Sequence, residues 1–286
     1  MNLNGYIGKT LQPRSIFIDH YKSTLVIMGH KFINYKERAL FYDIEYNNNY
    51  DEDFIVQCIS KLNVKSICEI PCATGRNITL LSSLCRELHL VDIEEEMLNQ
   101  ARCKKCNHAD TYFYISDMQN VKLASRVDLI WFPQGALQLL KTNDELFATF
   151  RSAYHNLKIG GNLVIDIVNF SSNDLPSYVS NFSDNYLLNW ERKLENKFIS
   201  RYSKSKFLEK RKSIEISFKY EVKVYPSSNF FYTKISMRCI DYHELFELLE
   251  TSGFKIECSF GDYKFGVFNQ KSPNIILVAT RNENLL

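Results

Sequence analysis

The chain has 286 residues, 45% of them hydrophobic, which fits one globular domain with an insertion or two small domains and leaves ample chain to bury a core. A formal net charge of +2 supplies no global basic field that would demand nucleic acid. The 8 cysteines follow no framework spacing and read as reduced thiols of a cytoplasmic protein, and the longest early apolar run, Thr24–Met28, is too short for a signal sequence or a membrane span. The 17 Tyr and 20 Phe suit a ring-lined pocket or lid, or simply fill the core.

Residues 1–37 form an N-terminal extension in which Ser15–Tyr21 and Leu25–Ile33 read either as short strands or as helix. Asp51–Leu62 reads as a helix, with Phe54, Ile55, Cys58, Ile59 and Leu62 at helical spacing. Val64–Ile70 is β-prone, Pro71–Gly75 is a turn, and Arg76–Cys85 is a helix offering Ile78, Leu80, Leu81 and Leu84 to one face. Leu88–Val91 is a second strand with Asp92 at its end. A right-handed βαβ crossover brings the turn and Asp92 to one edge of a parallel sheet, where ligands of open α/β sheets bind. A dinucleotide's pyrophosphate needs a glycine-rich turn for close backbone approach. Here Pro71 and Ala73 occupy the first two glycine positions and only Gly75 remains. The turn therefore suits a nucleoside without phosphates, its ribose hydroxyls gripped by Asp92, and this points to S-adenosylmethionine.

Cys103, Cys106 and His108 make half a zinc site, and no second pair follows, so no metal is assigned. Tyr112–Ile115 is the third strand, ending in Ser116-Asp117-Met118, and Val127–Phe132 the fourth, running into Pro133-Gln134-Gly135. Asn143–Leu157 is a helix closed by a Gly160-Gly161 turn, and Asn162–Val168 the fifth strand. From 170 to 238 the pattern changes. Phe198–Tyr202, Ile214–Tyr225 and Phe230–Met237 alternate like antiparallel strands, with Pro226–Asn229 as a hairpin turn. Between Arg192 and Lys212 lie nine Lys/Arg against Glu195 and Glu209: a solvated strand face, or a site for an anionic substrate or an RNA stem. Asp241 and Glu244 form a capping-box pattern at the start of the closing helix. Phe254–Phe260 and Ile275–Thr280 form a final hairpin, whose Gly261–Phe265 loop returns Tyr263 toward the active edge.

Glu69-Ile70-Pro71-Cys72-Ala73-Thr74-Gly75-Arg76 resembles the first motif of class I S-adenosylmethionine-dependent methyltransferases, D/E-x-G/P-C-G-T-G. Val91-Asp92-Ile93, with Met97-Leu98 and Ala101-Arg102, is similar to their second motif. Ala73 departs from the usual glycine; if its position needs a positive φ, it costs about 1 kcal/mol. The resemblance implies a Rossmann-like α/β fold: a seven-stranded, mostly parallel sheet with helices on both faces, plus an inserted antiparallel β lid. The core would span 38–169 and 239–286, and the insertion 170–238 would serve as a lid, a substrate subdomain or a homodimer surface. The resemblance implies cofactor contacts from Tyr42, Glu69, Pro71, Cys72, Ala73, Gly75, Arg76, Asp92, Ile93, Met97, Asp117, Met118 and Pro133. Among them Tyr42 lies in a segment similar to the flap over the methionine end of the cofactor, and it reads equally as a packing residue. Asp117 would take the adenine amino group, with Met118 covering the ring; Asp117 also reads as a turn cap. Cys72 would be a packing residue.

Residues 131–137 carry neither the [D/N/S]-P-P-[Y/F] of adenine amino-group methylation nor the nucleophilic cysteine of cytosine C5 methylation. A small-molecule acceptor remains, methylated on nitrogen or oxygen by in-line displacement, with Tyr42, Gln134 and Tyr263 as pocket candidates. A hydroxyl acceptor needs a base within hydrogen-bond reach, and the motifs place none there, which favours an amine. The alternatives are an RNA methyltransferase using the basic insertion and a non-catalytic binding protein that kept the fold, the latter motivated by Ala73.

Overall fold

The computed structural model describes residues 30–106, 108–194 and 197–282. The undecided segment Ser15–Tyr21, and Leu25–Ile33 up to residue 29, lie outside the described residues. His30–Phe32 is strand β1, and Ala39–Glu45 is helix α1. Then follow α2 (Glu52–Lys61), β2 (Ser66–Glu69), α3 (Ile78–Leu84), β3 (Glu87–Asp92), α4 (Glu95–Arg102), β4 (Asp110–Ile115) and β5 (Val127–Phe132). Helix α5 (Asn143–Asn156) leads into β6 (Leu157–Val168), and α6 is the single turn Ser177–Ser180. Strands β7 (Leu187–Leu194), β8 (Lys197–Leu208), β9 (Ser213–Val224) and β10 (Ser227–Arg238) precede α7 (Tyr242–Thr251), β11 (Phe254–Phe260) and β12 (Asn274–Arg281).

The main sheet has seven strands in the order β11-β12-β6-β5-β2-β3-β4. It is parallel except where β12 runs against its neighbours β6 and β11. Strand β2 is an interior strand, with Cys68 opposite His89 on one side and Ile130 on the other. All four of its residues are buried, as expected of a parallel strand covered on both faces. Helices α2, α3 and α4 cover one face through Phe54, Ile55, Ile78, Leu81, Leu98 and Ala101. Helices α5 and α7 cover the other through Leu146, Phe150, Leu245 and Leu249. This is the expected Rossmann-like architecture.

A second, five-stranded sheet in the order β1-β10-β9-β8-β7 stands over one edge of the first. Alternate residues of β9 (Ile214, Ile216, Phe218, Tyr220, Val222) face inward and pack with Phe41 of α1, Val168 at the end of β6 and Val179 of α6. Three details differ from the sequence expectation. Strand β7 carries no alternation, since most of its residues are exposed, and its pairing with β8 supplies what periodicity did not show. The β9–β10 loop is Tyr225-Pro226 rather than Pro226–Asn229: Pro226 has no ladder donor, but Ser227 already pairs with Val224. At α7, the Asp241 carboxylate accepts from the Glu244 backbone N–H (2.9 Å), but the Glu244 side chain turns to Arg238 instead of closing the box. The full capping box lies at α5, between Thr142 and Glu145.

Helix α1 connects the two sheets. Its Ala39 carbonyl accepts from Gln100 Nε2 of α4 (2.9 Å), and Asp43 accepts from Thr74 Oγ1 (2.6 Å) and Lys104 Nζ (2.8 Å). On its other side Phe41 stacks on Tyr220 of β9 at 4.3 Å.

Candidate active site

Strand β2 ends on Glu69 and runs into the turn 70–75 at the carboxyl edge of the sheet. Ala73 stands at φ +48° and Gly75 at φ +75°, both in the region that disfavours side chains. At Gly75 an added Cβ would lie 2.3 Å from Ile78 Cδ1, so the glycine is required by space as well as by conformation. Ala73 is held in place by Asp92: its N–H donates to Asp92 Oδ2 (2.9 Å), while the Glu94 N–H donates to Oδ1 (2.9 Å). Asp92 is only 3% exposed, and burial raises its carboxyl to about 6 against the pull of those N–H groups. Cys72 is buried too, and burial lifts its thiol far above the usual range, which suits packing rather than nucleophilic attack.

Glu69 is 2% exposed. Its Oε1 accepts from Asn77 Nδ2 (2.7 Å), while its Oε2 is buried with no partner among the described residues. Burial raises this carboxyl to about 7, with Asn77 and Arg76 pulling the other way. Beside it Arg76 forms a two-pronged pair with Asp51 (2.7 and 2.5 Å) and donates to the Asn48 carbonyl (3.0 Å). Asp51 also accepts from Gln134 Nε2 (3.2 Å). Gln134 has φ +49°, and its backbone N–H donates to Asp166 Oδ2 (3.1 Å). Asp166 accepts further from the Tyr263 hydroxyl (2.5 Å) and from Asn274 Nδ2 (3.2 Å), and burial raises it to about 6.

A cleft opens between this turn and the second sheet. Glu69, Pro71, Cys72, Ala73, Arg76, Asn77, Pro133 and Gln134 line its core side. Tyr35, Arg38, Tyr42 and Tyr46 line the side of α1 and its approach, and Tyr178 of α6 with Ile235 and Met237 of β10 line the side of the inserted segment, called the lid side below. It holds about 750 Å³ counting its open mouth.

Of the residues expected at the site, Tyr42, Glu69, Pro71, Cys72, Ala73, Arg76, Pro133 and Gln134 converge on this cleft. Gly75 shapes the turn from within. Asp92 sits directly behind Ala73, and Met97 is wholly buried. Ile93 is exposed beyond the end of β3. Asp117 caps a short 3₁₀ turn by accepting from the Gln119 N–H (3.0 Å), with Met118 next to it at the end of β4. Tyr263 does not line the cleft; it acts on it through Asp166 and Gln134. Sequence reasoning missed Arg38, Tyr35, Tyr46, Asn77, Tyr178, Ile235 and Met237. A signal existed for the first two: Tyr35, Arg38, Tyr42 and Glu45 recur at helical spacing, a polar and aromatic stripe on one face. Among the described residues no group of His, Cys, Asp and Glu could hold a metal ion, and no helix is long and apolar enough to cross a membrane.

The site's donor set fits a ligand that brings an ammonium to Glu69, because an unpartnered buried carboxylate oxygen is costly until it is paired. Residues 67–161 match a family model described as a methyltransferase domain. Among curated proteins, YqeM of Bacillus subtilis, provisionally named a methyltransferase, is 28% identical over 102 residues, 35% of this chain; the chain spans about two fifths (41%) of that relative's length. Among solved structures, an S-adenosylmethionine-dependent methyltransferase from Clostridium acetobutylicum superposes with a TM-score of 0.71 at 18% identity, covering 87% of this chain and 99% of its own. A sugar N-methyltransferase from Streptoalloteichus gives 0.69 at 17% identity, with 85% and 93% covered. An amino pentose methyltransferase from Micromonospora echinaspora, solved with S-adenosylmethionine bound, gives 0.64 at 16% identity, with 84% and 96% covered. The motif-bearing turn, the methyltransferase domain matched over residues 67–161 and the shared fold support a class I S-adenosylmethionine-dependent methyltransferase with S-adenosyl-L-methionine as its cofactor.

Proposed function

We propose that this protein methylates an amino nitrogen of a small, sugar-like metabolite. The observation that carries this reading is Glu69 Oε2, a buried carboxylate oxygen without a partner among the described residues, in a cleft at the carboxyl edge of the parallel sheet. It would hold the ammonium of the cofactor's methionine portion. Asp92 keeps lone pairs beyond its two backbone bonds and would turn them to the ribose hydroxyls, while Asp117 and Met118 would meet the adenine. When bound, the cofactor supplies an electrophilic methyl group on a positively charged sulfur.

The chain's own contribution is then alignment and exclusion of water. Pro133 and Gln134 would form the floor beneath the acceptor, with Gln134 fixed by Asp51 on one side and Asp166 on the other. Tyr42 and Tyr178 would close the cleft from above. Among the described residues that line the cleft, Glu69 is the only carboxylate and none is a histidine. With Glu69 engaged by an ammonium, no base stands ready for a hydroxyl, whereas an amine needs only to lose a proton to solvent. The likeness to a sugar N-methyltransferase and an amino pentose methyltransferase supports the same choice. The RNA reading draws less support: Arg201, from the basic stretch, is buried against Glu45, and Arg192 donates to the Glu45 carbonyl.

Calorimetric titration with S-adenosylmethionine tests the proposal. Binding should be saturable and should weaken at least tenfold in both Glu69→Gln and Asp92→Asn. Absence of binding by the well-folded wild-type chain, or unchanged binding in both variants, would overturn it.

A further inference from the structure

The lid-side wall of the cleft carries unbalanced positive charge. Arg38 is 2% exposed, and its Nε donates to the Tyr220 hydroxyl (3.2 Å) and its Nη2 to Glu45 Oε2 (2.8 Å) and the Tyr46 hydroxyl (3.4 Å). Its Nη1 has no partner among the described residues, and Arg38 lines the cleft. Arg201 is also buried, and its Nη1 lies 3.3 Å from Glu45 Oε1, the oxygen to which the Tyr220 hydroxyl also donates. Two buried guanidiniums thus share the single carboxylate of Glu45. The flanking groups do not restore the balance: Arg38 lies over Phe218 (4.9 Å) and Tyr42 (5.7 Å), and Arg201 over Phe218 (5.0 Å) and Tyr178 (5.4 Å). Rings soften the charge without neutralising it. The hydroxyls of Tyr35 and Tyr178, both on the cleft, also have no partner among the described residues. A buried charge left over from its pair is costly, and a ligand that supplies the missing anion recovers that cost on binding.

We propose that the acceptor carries an oxyanion, a carboxylate or a phosphate, which docks on Arg38 Nη1 and the hydroxyls of Tyr35 and Tyr178. This deepens the methyl-transfer reading and rests on it for the amine at the far end of the same molecule. The acceptor is then an amine bearing an acidic group, and the lid is the part of the chain that selects it. Nε and Nη2 of Arg38 are already engaged, so the two N–H groups of Nη1, held in the guanidinium plane, give direction to the contact.

The test uses the full chain saturated with S-adenosylhomocysteine, and reads thermal unfolding and calorimetry as inorganic phosphate or acetate is added against sodium chloride at equal ionic strength. One of the two anions should raise the melting temperature where chloride does not. A stronger response to phosphate assigns a phosphate group, a stronger response to acetate a carboxylate. Arg38→Gln should abolish the response, and Arg38→Lys should keep part of it. If the Arg38 variants fail to fold, the paired change Tyr35→Phe and Tyr178→Phe should weaken anion binding at least fivefold. Ile235→Glu, which places a carboxylate in the cleft, should suppress the response far more than its size-matched control Ile235→Gln. No response beyond chloride, or an equal response in the wild type and in these folded variants, would overturn the proposal. Failure of S-adenosylhomocysteine to bind at the outset would instead count against the methyl-transfer reading, and the anion titrations run without it would still decide this one.

Discussion

The core side of the cleft and the lid side are built by different means. On the core side one short turn does most of the work, with backbone N–H groups of Ala73 and Glu94 held by Asp92 and a strand terminus presenting Glu69. On the lid side nearly everything is side chain, drawn from residues 35–46, 178, 201, 220, 235 and 237. On the proposed reading, the core side offers the Glu69 carboxylate to a cation and the lid side offers the Arg38 guanidinium to an anion. A site of this kind leaves the core wall suited to the cofactor and the lid wall free to diverge with the acceptor.

That division can be broken most forcefully at Glu45. Glu45→Gln leaves Arg38 and Arg201 buried without a counter-charge and should cost about 3–5 kcal/mol. A denaturant titration would read this as a lowered midpoint at unchanged slope, and a loss below 1 kcal/mol would show that the guanidiniums are not held by Glu45. Next is Tyr263→Phe. It removes a donor from the buried Asp166 carboxylate and should cost about 1.5–3 kcal/mol of stability. Through Gln134 it should also lower kcat more than it raises the KM for cofactor, and an unchanged enzyme would show that Asp166 does not position Gln134.

On the core side, pH sharpens the comparison. The folded Glu69 carboxyl titrates at about 7, above its ordinary 4.5. Above pH 7 it is ionised and ready for an ammonium. Below pH 7 it holds a proton that the ligand must displace, so cofactor affinity should fall up to tenfold per pH unit, about 1.4 kcal/mol each. Without ligand the same raised value makes the ionised group a burden on the fold above pH 7, one that lessens as pH falls toward 4.5. Calorimetry between pH 5.5 and 8.5 should show a steeper slope in the wild type than in Glu69→Gln, where Asp92, raised to about 6, still titrates. The smallest effect is expected of Ala73→Gly, which relieves a left-handed alanine worth about 1 kcal/mol. It should leave stability unchanged or slightly raised, and a clear loss would mean that the Ala73 methyl packs on something the turn needs.

The core wall was legible because its residues are contiguous: the strand, the turn and the terminal acid can be read in order, and even the penalty at Ala73 follows from its replacing glycine. Asp92 was legible as a residue, but its bond to the Ala73 N–H was not, since that depends on how two parallel strands stagger. The lid wall was largely illegible. Tyr178 lies far from Ile235 and Met237 in the chain, and they share a cleft only once the second sheet stands beside the turn. The lysines and arginines of 192–212 read, from their number alone, as a solvated strand face or as a site for an anionic substrate or an RNA stem. No periodicity reveals that Arg201 turns inward, because polar residues at alternate positions mark a solvated face unless a buried acid awaits them. Tyr263 was placed at the right edge but one layer too near the cleft, since a loop's return direction does not fix which side chain meets it.

Helix α1 joins the two walls with few atoms. Asp43 grips Thr74, a residue of the turn itself, and two positions earlier Phe41 lies flat on Tyr220 of the lid. A shift of the lid sheet would therefore tug directly on the bend where the adenosine is expected, with no intervening spring. Admission of the two reactants cannot be independent: whatever prises the sheets apart for one loosens the seat of the other. On the proposed reading, an ordered sequence of loading, rather than random entry, is the kinetic behaviour expected of such a rivet.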